Sequence, residues 1–267
     1  MLFTKMLSYD NPKAAKAIGF GYLNGISYLA PHKLAGGPNL CSHAKQDCIS
    51  LCLGQHSGQA AMAKAGEISK VLDSRIRKAR YFISDRQGFF NDLSKQIASF
   101  IKLAESESLI PVVRLNGSTD SPYEKLSITL TEKSAEYISA KLGEHYKAGH
   151  YDNFMSLFPR LQFNDYTKNP LRFKKPLPKN YDITFSRSAY NESDCRNLLA
   201  LGHNVAAVFA QGLPDSYMGR PVINGDLHDL RFLDPKGGFI IGLTPKGAKA
   251  KNDVSGFVIR DYERFNA

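Results

Sequence analysis

Three cysteines share one short stretch of this chain. Residues 39–58 read NLCSHAKQDCISLCLGQHSG, so Cys41, Cys48 and Cys52 stand in a Cys-x6-Cys-x3-Cys spacing. Thiolates are soft donors that suit an iron–sulfur cluster or zinc. Cys48 and Cys52, four residues apart, fall on one face if the segment is helical. Three ligands on a 4Fe-4S cube leave one iron open to a small molecule, whereas zinc would complete a closed four-ligand site with His43 or His56. A third reading is packing, because free cysteines behave as small buried hydrophobes. Cys195, remote from the other three and inside a predicted helix, is read as core.

A second class of candidates lies in polar groups directly after strand-like runs. Asn116, Gly117, Ser118 and Asp120 follow the apolar run at 109–115, and the same residue types are what a turn demands. Asp165, Thr167 and Lys168 end another run, and Ser186, Arg187 and Ser188 a third. Lys168 or Arg187 can pair with a carboxylate or phosphate, the arginine with a bidentate geometry that lysine lacks. Ordinary polarity at loop ends is the competing account. Asp226, Asp229 and Asp234 form a late acidic group able to hold a hard cation. Arg231 and Lys236 lie among them, and a structural ion network is the favoured reading there. The seven histidines show neither His-x3-His nor His-Glu-x-x-His spacing, and the Gly-x-Ser-x-Gly and P-loop patterns are absent. A zinc hydrolase, a serine hydrolase and a P-loop nucleotidase are therefore not indicated.

The elements that must position these residues alternate between the two periods. Strand-like segments are expected at 19–30, 109–115, 161–166, 181–186, 205–209, 221–223 and 239–243. Apolar residues at three- and four-residue steps predict helices over 67–82, over 89–104 with Asp85 as N-cap, and over 132–146 capped by Thr131. A further helix over 192–201 is closed by Gly202. Strand, polar loop and helix in alternation predict an α/β fold with a parallel sheet. An open doubly wound sheet and a barrel both meet that pattern. Polar clusters after the strands favour a single-domain partial (β/α) barrel spanning residues 1–267, with the three-cysteine loop after the first core strand, since active sites of such folds gather at the carboxyl ends of strands.

Composition bounds the rest. With 43% hydrophobic and 22% charged residues over 267 positions, the chain can build a core, and four cysteines cannot staple it. No apolar run approaches the length of a membrane helix, so no membrane partner is expected. The N-terminal ten residues are too short and polar for a secretory signal, which leads to a cytoplasmic, reducing compartment as the expectation. A formal charge of +10 favours a polyanionic partner, a nucleotide or nucleic acid. The basic residues are nevertheless dispersed, with local densities at 75–80, 168–179 and 246–251, and a solvated surface explains each as well.

Taken together, the cysteine loop after the first strand, the NGSTD block after 109–115, NDYTKNP at 164–170, YDITFSRS at 181–188 and GDLHDLRFLDPKG at 225–237 resemble the phage-encoded "gene product eighty-eight" type of protein. That group looks like a divergent branch of the radical S-adenosylmethionine (SAM) enzymes. The resemblance implies a 4Fe-4S cluster on Cys41, Cys48 and Cys52, with SAM chelated at the open iron. It also implies that Asn116, Gly117, Ser118 and Asp120 meet the SAM amino group, and that the protein acts in the cytoplasm of an infected bacterium. Asp165, Thr167, Lys168, Ser186 and Arg187 then become further cofactor-binding candidates at the strand ends. The loop departs from the Cys-x3-Cys-x2-Cys of most radical-SAM enzymes by its wider spacing. Two alternatives of other classes stand beside this expectation: a zinc-holding module that binds nucleic acid, and a phage protein that engages a host protein.

Overall fold

A computed structural model of the protein describes residues 5–63 and 67–261. Met1 to Thr4, which begin the N-terminal segment read for a secretory signal, lie outside the described residues. The chain begins with β1 (Leu7–Ser8), α1 (Pro12–Ile18) and β2 (Tyr22–Ser27), followed by the short helices α2 (Gln46–Ser50) and α3 (Leu53–His56). Next come α4 (Lys70–Ser84), α5 (Arg86–Ser106), β3 (Ile110–Arg114), β4 (Ile128–Leu130), α6 (Glu132–Leu142), β5 (Gly149–Tyr151) and α7 (Phe154–Leu157). The second half holds β6 (Gln162–Thr167), β7 (Tyr181–Ser186), α8 (Glu192–Ala200), β8 (Val205–Phe209), β9 (Ser216–Tyr217), β10 (Arg220–Asn224), β11 (Ile240–Leu243), α9 (Ala248–Lys251) and β12 (Val258–Ile259).

Local sequence explains the main helices. The Ser69 side chain accepts the amide of Leu72 at the start of α4, and Asp85 accepts that of Gly88 at 2.9 Å at the start of α5. Each cap satisfies a first-turn donor that the helix itself leaves unpaired. The apolar stripe of α5, from Phe89 through Leu93 and Ile97 to Ala104, is buried against the sheet. Gly25 in β2 permits that approach, since a Cβ there would stand 2.9 Å from the Phe100 ring. Thr131 caps α6 as expected, but the helix stops at Leu142 because Gly143 takes a left-handed conformation.

The result is a mixed α/β fold around a largely parallel ten-stranded sheet, ordered β1-β2-β3-β6-β7-β8-β11-β10-β9 with β12 also paired to β8. From β2 to β8 the strands lie side by side in chain order and run parallel, while β1 and β9 are antiparallel edges. Among the described residues β1 and β9 do not pair with each other, so the strands do not close into a barrel. Past β8 the order reverses, and β11 inserts between β8 and β10. Side-chain alternation splits the core into two faces. Val113 and Phe163 join the cluster built on α4 and α5, whereas Val112 packs with Ala17 and Leu230 on the other face. The segment 229–233 covers that second face against β6 and β7. Two features have no strong sequence signal: α1, and the antiparallel β4–β5 pair, which brackets α6 and sets Ile128 opposite Tyr151.

Candidate functional site

The parallel strands present their carboxyl ends on one side, and the polar segments that follow them meet there. The cysteine loop leaves β2 and folds across this mouth. Its attachments are specific. Asp47, only 2% exposed, accepts the Cys48 amide at 2.7 Å and the Ala189 amide at 2.8 Å, which ties the loop to the segment after β7. Gly54 lies against β3's loop so closely that a Cβ would stand 2.5 Å from the Ser118 Cβ. Arg75 on α4 donates to the Gly54 carbonyl at 2.6 Å and stacks on Tyr28 at 4.6 Å. Sequence reasoning misses Asp47, Gly54 and Arg75. An acid in the first turn of a cysteine-bearing helix is the available signal for Asp47, and the charge density at 75–80 contains Arg75 without distinguishing it.

All four cysteines are free thiols. Burial pushes Cys41 up to about 12, with Cys52, Asp120 and Cys48 adding to the rise and the His32 amide opposing it. That amide donates to Cys41 Sγ at 3.3 Å. Cys52 is also raised, first by burial and then by Cys48, against the amides of Gly54 and Gln55 and the charge of Lys168. The three loop thiols are therefore electrostatic neighbours. Cys195 is buried in the cluster around α8 and β8, where burial raises its pKa and Arg187 and Lys168 oppose the rise. Among the described residues no three His, Cys, Asp or Glu side chains converge closely enough to hold a single metal ion. His43 is bonded to Ser42, and His56 feels Lys249 and His32. The loop cysteines are thiols, and the two that burial raises, Cys41 and Cys52, have backbone amides directed at them. The closed four-ligand zinc site expected with His43 or His56 is not assembled.

The other predicted residues divide into those that shape the mouth and those that face it. The Asn116 side chain accepts from Thr119 Oγ1 and the Ser121 amide and donates to Ser121 O and Asp165, which closes the 116–121 turn on itself. Gly117 donates its amide to Ser27 O, and a Cβ there would meet that oxygen at 2.6 Å. Ser118 Oγ donates to Leu29 O, and the Ser118 carbonyl lies 3.8 Å from Cys41 Sγ. Asp120 accepts the Lys168 amide at 2.8 Å and Arg172 at 3.0 Å. Asp165 is fully buried, accepting from the Asn116 amide at 2.7 Å and Tyr181 at 2.7 Å, and burial raises its pKa to about 6. Thr167 Oγ1 accepts the Asn169 amide. Lys168 Nζ donates to Ser186 Oγ at 2.7 Å and sits 5.1 Å from the Phe257 ring. Arg187 donates to the carbonyls of Gly256 and Phe257, so it pins the C-terminal segment at the mouth. Beneath it all, Arg172 is fully buried and reaches Glu124 through both Nε and Nη2, together with Asp120 and Tyr181.

The late acidic group is a structural network. Asp229 binds Arg114 at 2.8 Å and accepts from Tyr166, Asp234 lies 3.3 Å from Arg231, and Asp226 binds Lys246 at 2.8 Å. Lys236 turns instead to Asp182. Three carboxylates assigned to three different cations do not form one cation site. Burial works against the Arg114 charge, yet Asp229, Tyr166 and Asp165 hold its pKa above the ordinary arginine value.

A family model described as Gene product 88 matches residues 1–261. The chain belongs to the Gene product 88 family. The match spans β1 through β12 and every residue of the mouth. No curated protein and no solved structure matches the chain. No helix among the described residues is long and apolar enough to cross a membrane.

Proposed function

We propose that this chain is an iron–sulfur protein of radical-SAM type, built on a partial (β/α) barrel and acting on a small or nucleotide-bearing substrate. The observation that supports it best is the cysteine loop after β2. Its three cysteines stand on one loop and influence one another electrostatically, while Cys195 is buried in the cluster around α8 and β8. The unbroken chain order from β2 to β8 supports a barrel-like run of parallel strands, with the order reversing only past β8.

In this reading Cys41, Cys48 and Cys52 hold a 4Fe-4S cluster. Such a cluster would supply one-electron chemistry toward bound SAM, drawing the electron from an external reductant. The protein's own residues do the rest. Asp47 and Gly54 fix the loop, and the amides of His32, Gly54 and Gln55 stabilise sulfur charge. Lys168 and Arg75 supply positive charge near Cys52. Lys168 is the side chain best disposed to meet a carboxylate. The 116–120 turn presents its carbonyls, since its side chains are already engaged.

Anaerobic purification and an absorbance spectrum test the proposal. A broad shoulder near 400 nm with roughly four irons per chain is expected, and colourless protein after reconstitution with iron and sulfide would overturn it. Cleavage of SAM to 5′-deoxyadenosine after reduction tests the radical step. A reconstituted cluster that yields none would limit the role to electron transfer or structure.

A further inference from the structure

An open cleft of ≈ 670 Å³ lies where β8 and β11 end, lined by Ala210, Thr244, Lys246, Gly247, Lys251 and Arg260. Its volume is in the range of small-ligand sites. The charge of the lining is one-sided. Asp226 is engaged by Lys246 at 2.8 Å and by the amide and hydroxyl of Thr244 at 2.8 and 2.6 Å. Among the described residues neither Lys251 nor Arg260 has a carboxylate within ion-pair distance. The Arg260 guanidinium is held by the carbonyls of Asp253 and Lys251, which fixes its planar fork in direction, and its charge also helps to lower the pKa of the Asp253 carboxyl. The 244–247 turn also abuts the cysteine loop. Gly247 has φ +81°, and a Cβ on it would stand 3.3 Å from the Ser57 Cβ and 3.6 Å from the His56 carbonyl. The cleft and the cysteine loop therefore share a wall.

We propose that this cleft binds a phosphate group carried by a nucleotide or a nucleic-acid strand, and holds that molecule beside the cysteine loop. A fixed guanidinium beside the Lys251 ammonium, with Lys246 shared with Asp226 at the edge, matches phosphate in charge and in hydrogen-bonding capacity. As a substrate subsite it rests on the iron–sulfur reading above; as an anion site it stands alone.

A second cleft provides the control. It lies at the opposite end of the sheet, between the starts of β7 and β8, and is also basic, with Lys174, Lys175 and Lys236 in its lining. The experiment titrates the full chain into a fluorescein-labelled twelve-nucleotide oligothymidylate between 50 and 200 mM salt, with ATP as competitor. Lys251→Glu should weaken binding about tenfold at low salt and lower the slope of log affinity against log salt by about one. Lys251→Arg should retain it, and Lys175→Glu should change it less than about twofold. Competition by ATP identifies the ligand as a nucleotide phosphate, and its failure identifies a strand. Equal losses in Lys251→Glu and Lys175→Glu, or no binding at 50 mM salt by either probe, would overturn the proposal. Iron content is read on the same samples. Phosphate affinity in protein that never takes up iron would sink the cluster reading alone, and iron without phosphate affinity would sink this one alone.

Discussion

Replacing Arg172 by Met should be among the most damaging single changes outside the main hydrophobic core. The Arg172 side chain is fully buried. It bonds Glu124 at 3.0 and 2.8 Å, Asp120 at 3.0 Å and Tyr181 at 2.7 Å, and Tyr181 passes the contact on to Asp165 at 2.7 Å. Removing it leaves three carboxylates, almost or wholly out of water, around a missing cation. Uncompensated buried charge costs about 3–5 kcal/mol, a large share of the 5–15 kcal/mol that stabilises a typical domain. The assay is urea unfolding followed by circular dichroism at pH 5 and pH 8. Without the guanidinium the carboxylates gain by protonation in the folded state, so the loss should shrink at pH 5. Glu124→Gln in the Arg172→Met background should recover about 1–2 kcal/mol by removing one stranded charge. The damage should reach the mouth as well. Asp120 holds the Lys168 amide, and its own amide donates to the Leu40 carbonyl beside Cys41. Cys41 should then react faster with iodoacetamide under native conditions. A loss below 1 kcal/mol, or one independent of pH and of Glu124→Gln, would refute the reasoning.

Gly54→Ala should push the cysteine loop away from Ser118, costing about 1–3 kcal/mol and lowering iron retention after reconstitution; native-like iron content would show that the loop approach is unimportant. Cys41→Ser, Cys48→Ser and Cys52→Ser should each abolish a reconstituted cluster spectrum while Cys195→Ser leaves it intact, and a Cys195→Ser protein without iron would reverse that assignment. Wild-type stability should fall as pH rises from about 4 to 6. Asp165 titrates at about 6 when folded against an ordinary aspartate value of 3.8, so the folded state holds the extra proton across that window. Two units correspond to about 3 kcal/mol, and Asp234, also raised to about 6, acts in the same direction. Urea midpoints that are flat or that rise with pH between 4.5 and 6.5 would contradict it. Arg187→Ala should free the 256–257 segment and speed its proteolysis, with wild-type cleavage kinetics as the disproof.

Much of this architecture is legible in the sequence because its signals are local. β3, β7 and β8 fall within the predicted runs, and Asp85 and Thr131 cap the helices expected of them. The place of Cys195 in the core is legible too, from its helical context. Non-local facts are not. That β11 precedes β10 in the sheet depends on pairing across about twenty residues, which no periodicity records. The 116–120 group illustrates the limit at a site. Its residue types fit either a cofactor contact or a turn, and the folded chain uses Asn116, Gly117 and Ser118 to build the turn while Asp120 is held by Arg172. Asp165 reads as a strand-end ligand because sequence shows position along a strand but not the partner waiting there. That partner is the Asn116–Tyr181 pair.

The acidic segment 226–234 ties these points together. Asp229 is drawn to Arg114 and Tyr166, and the Asn164 side chain donates to its carbonyl at 3.1 Å, so the segment is fastened across the face of β3 and β6. The edge contacts of Phe20 with His228 and Tyr22 with Phe232 extend that cover to β2. The same segment neutralises Arg114 beneath it and its own Arg231, which removes both from any role in ligand binding. Positive charge at the mouth then includes Arg75, Lys168, Lys251 and Arg260, the first two beside Cys52 and the last two in the adjoining cleft. The net charge of +10 is uninformative as a total, but the fold pairs Arg114, Arg172 and Arg231 with carboxylates in its interior, while these four cations lie along one rim. A ligand that uses the cysteine loop would therefore approach along the rim, and an anionic one would be favoured there.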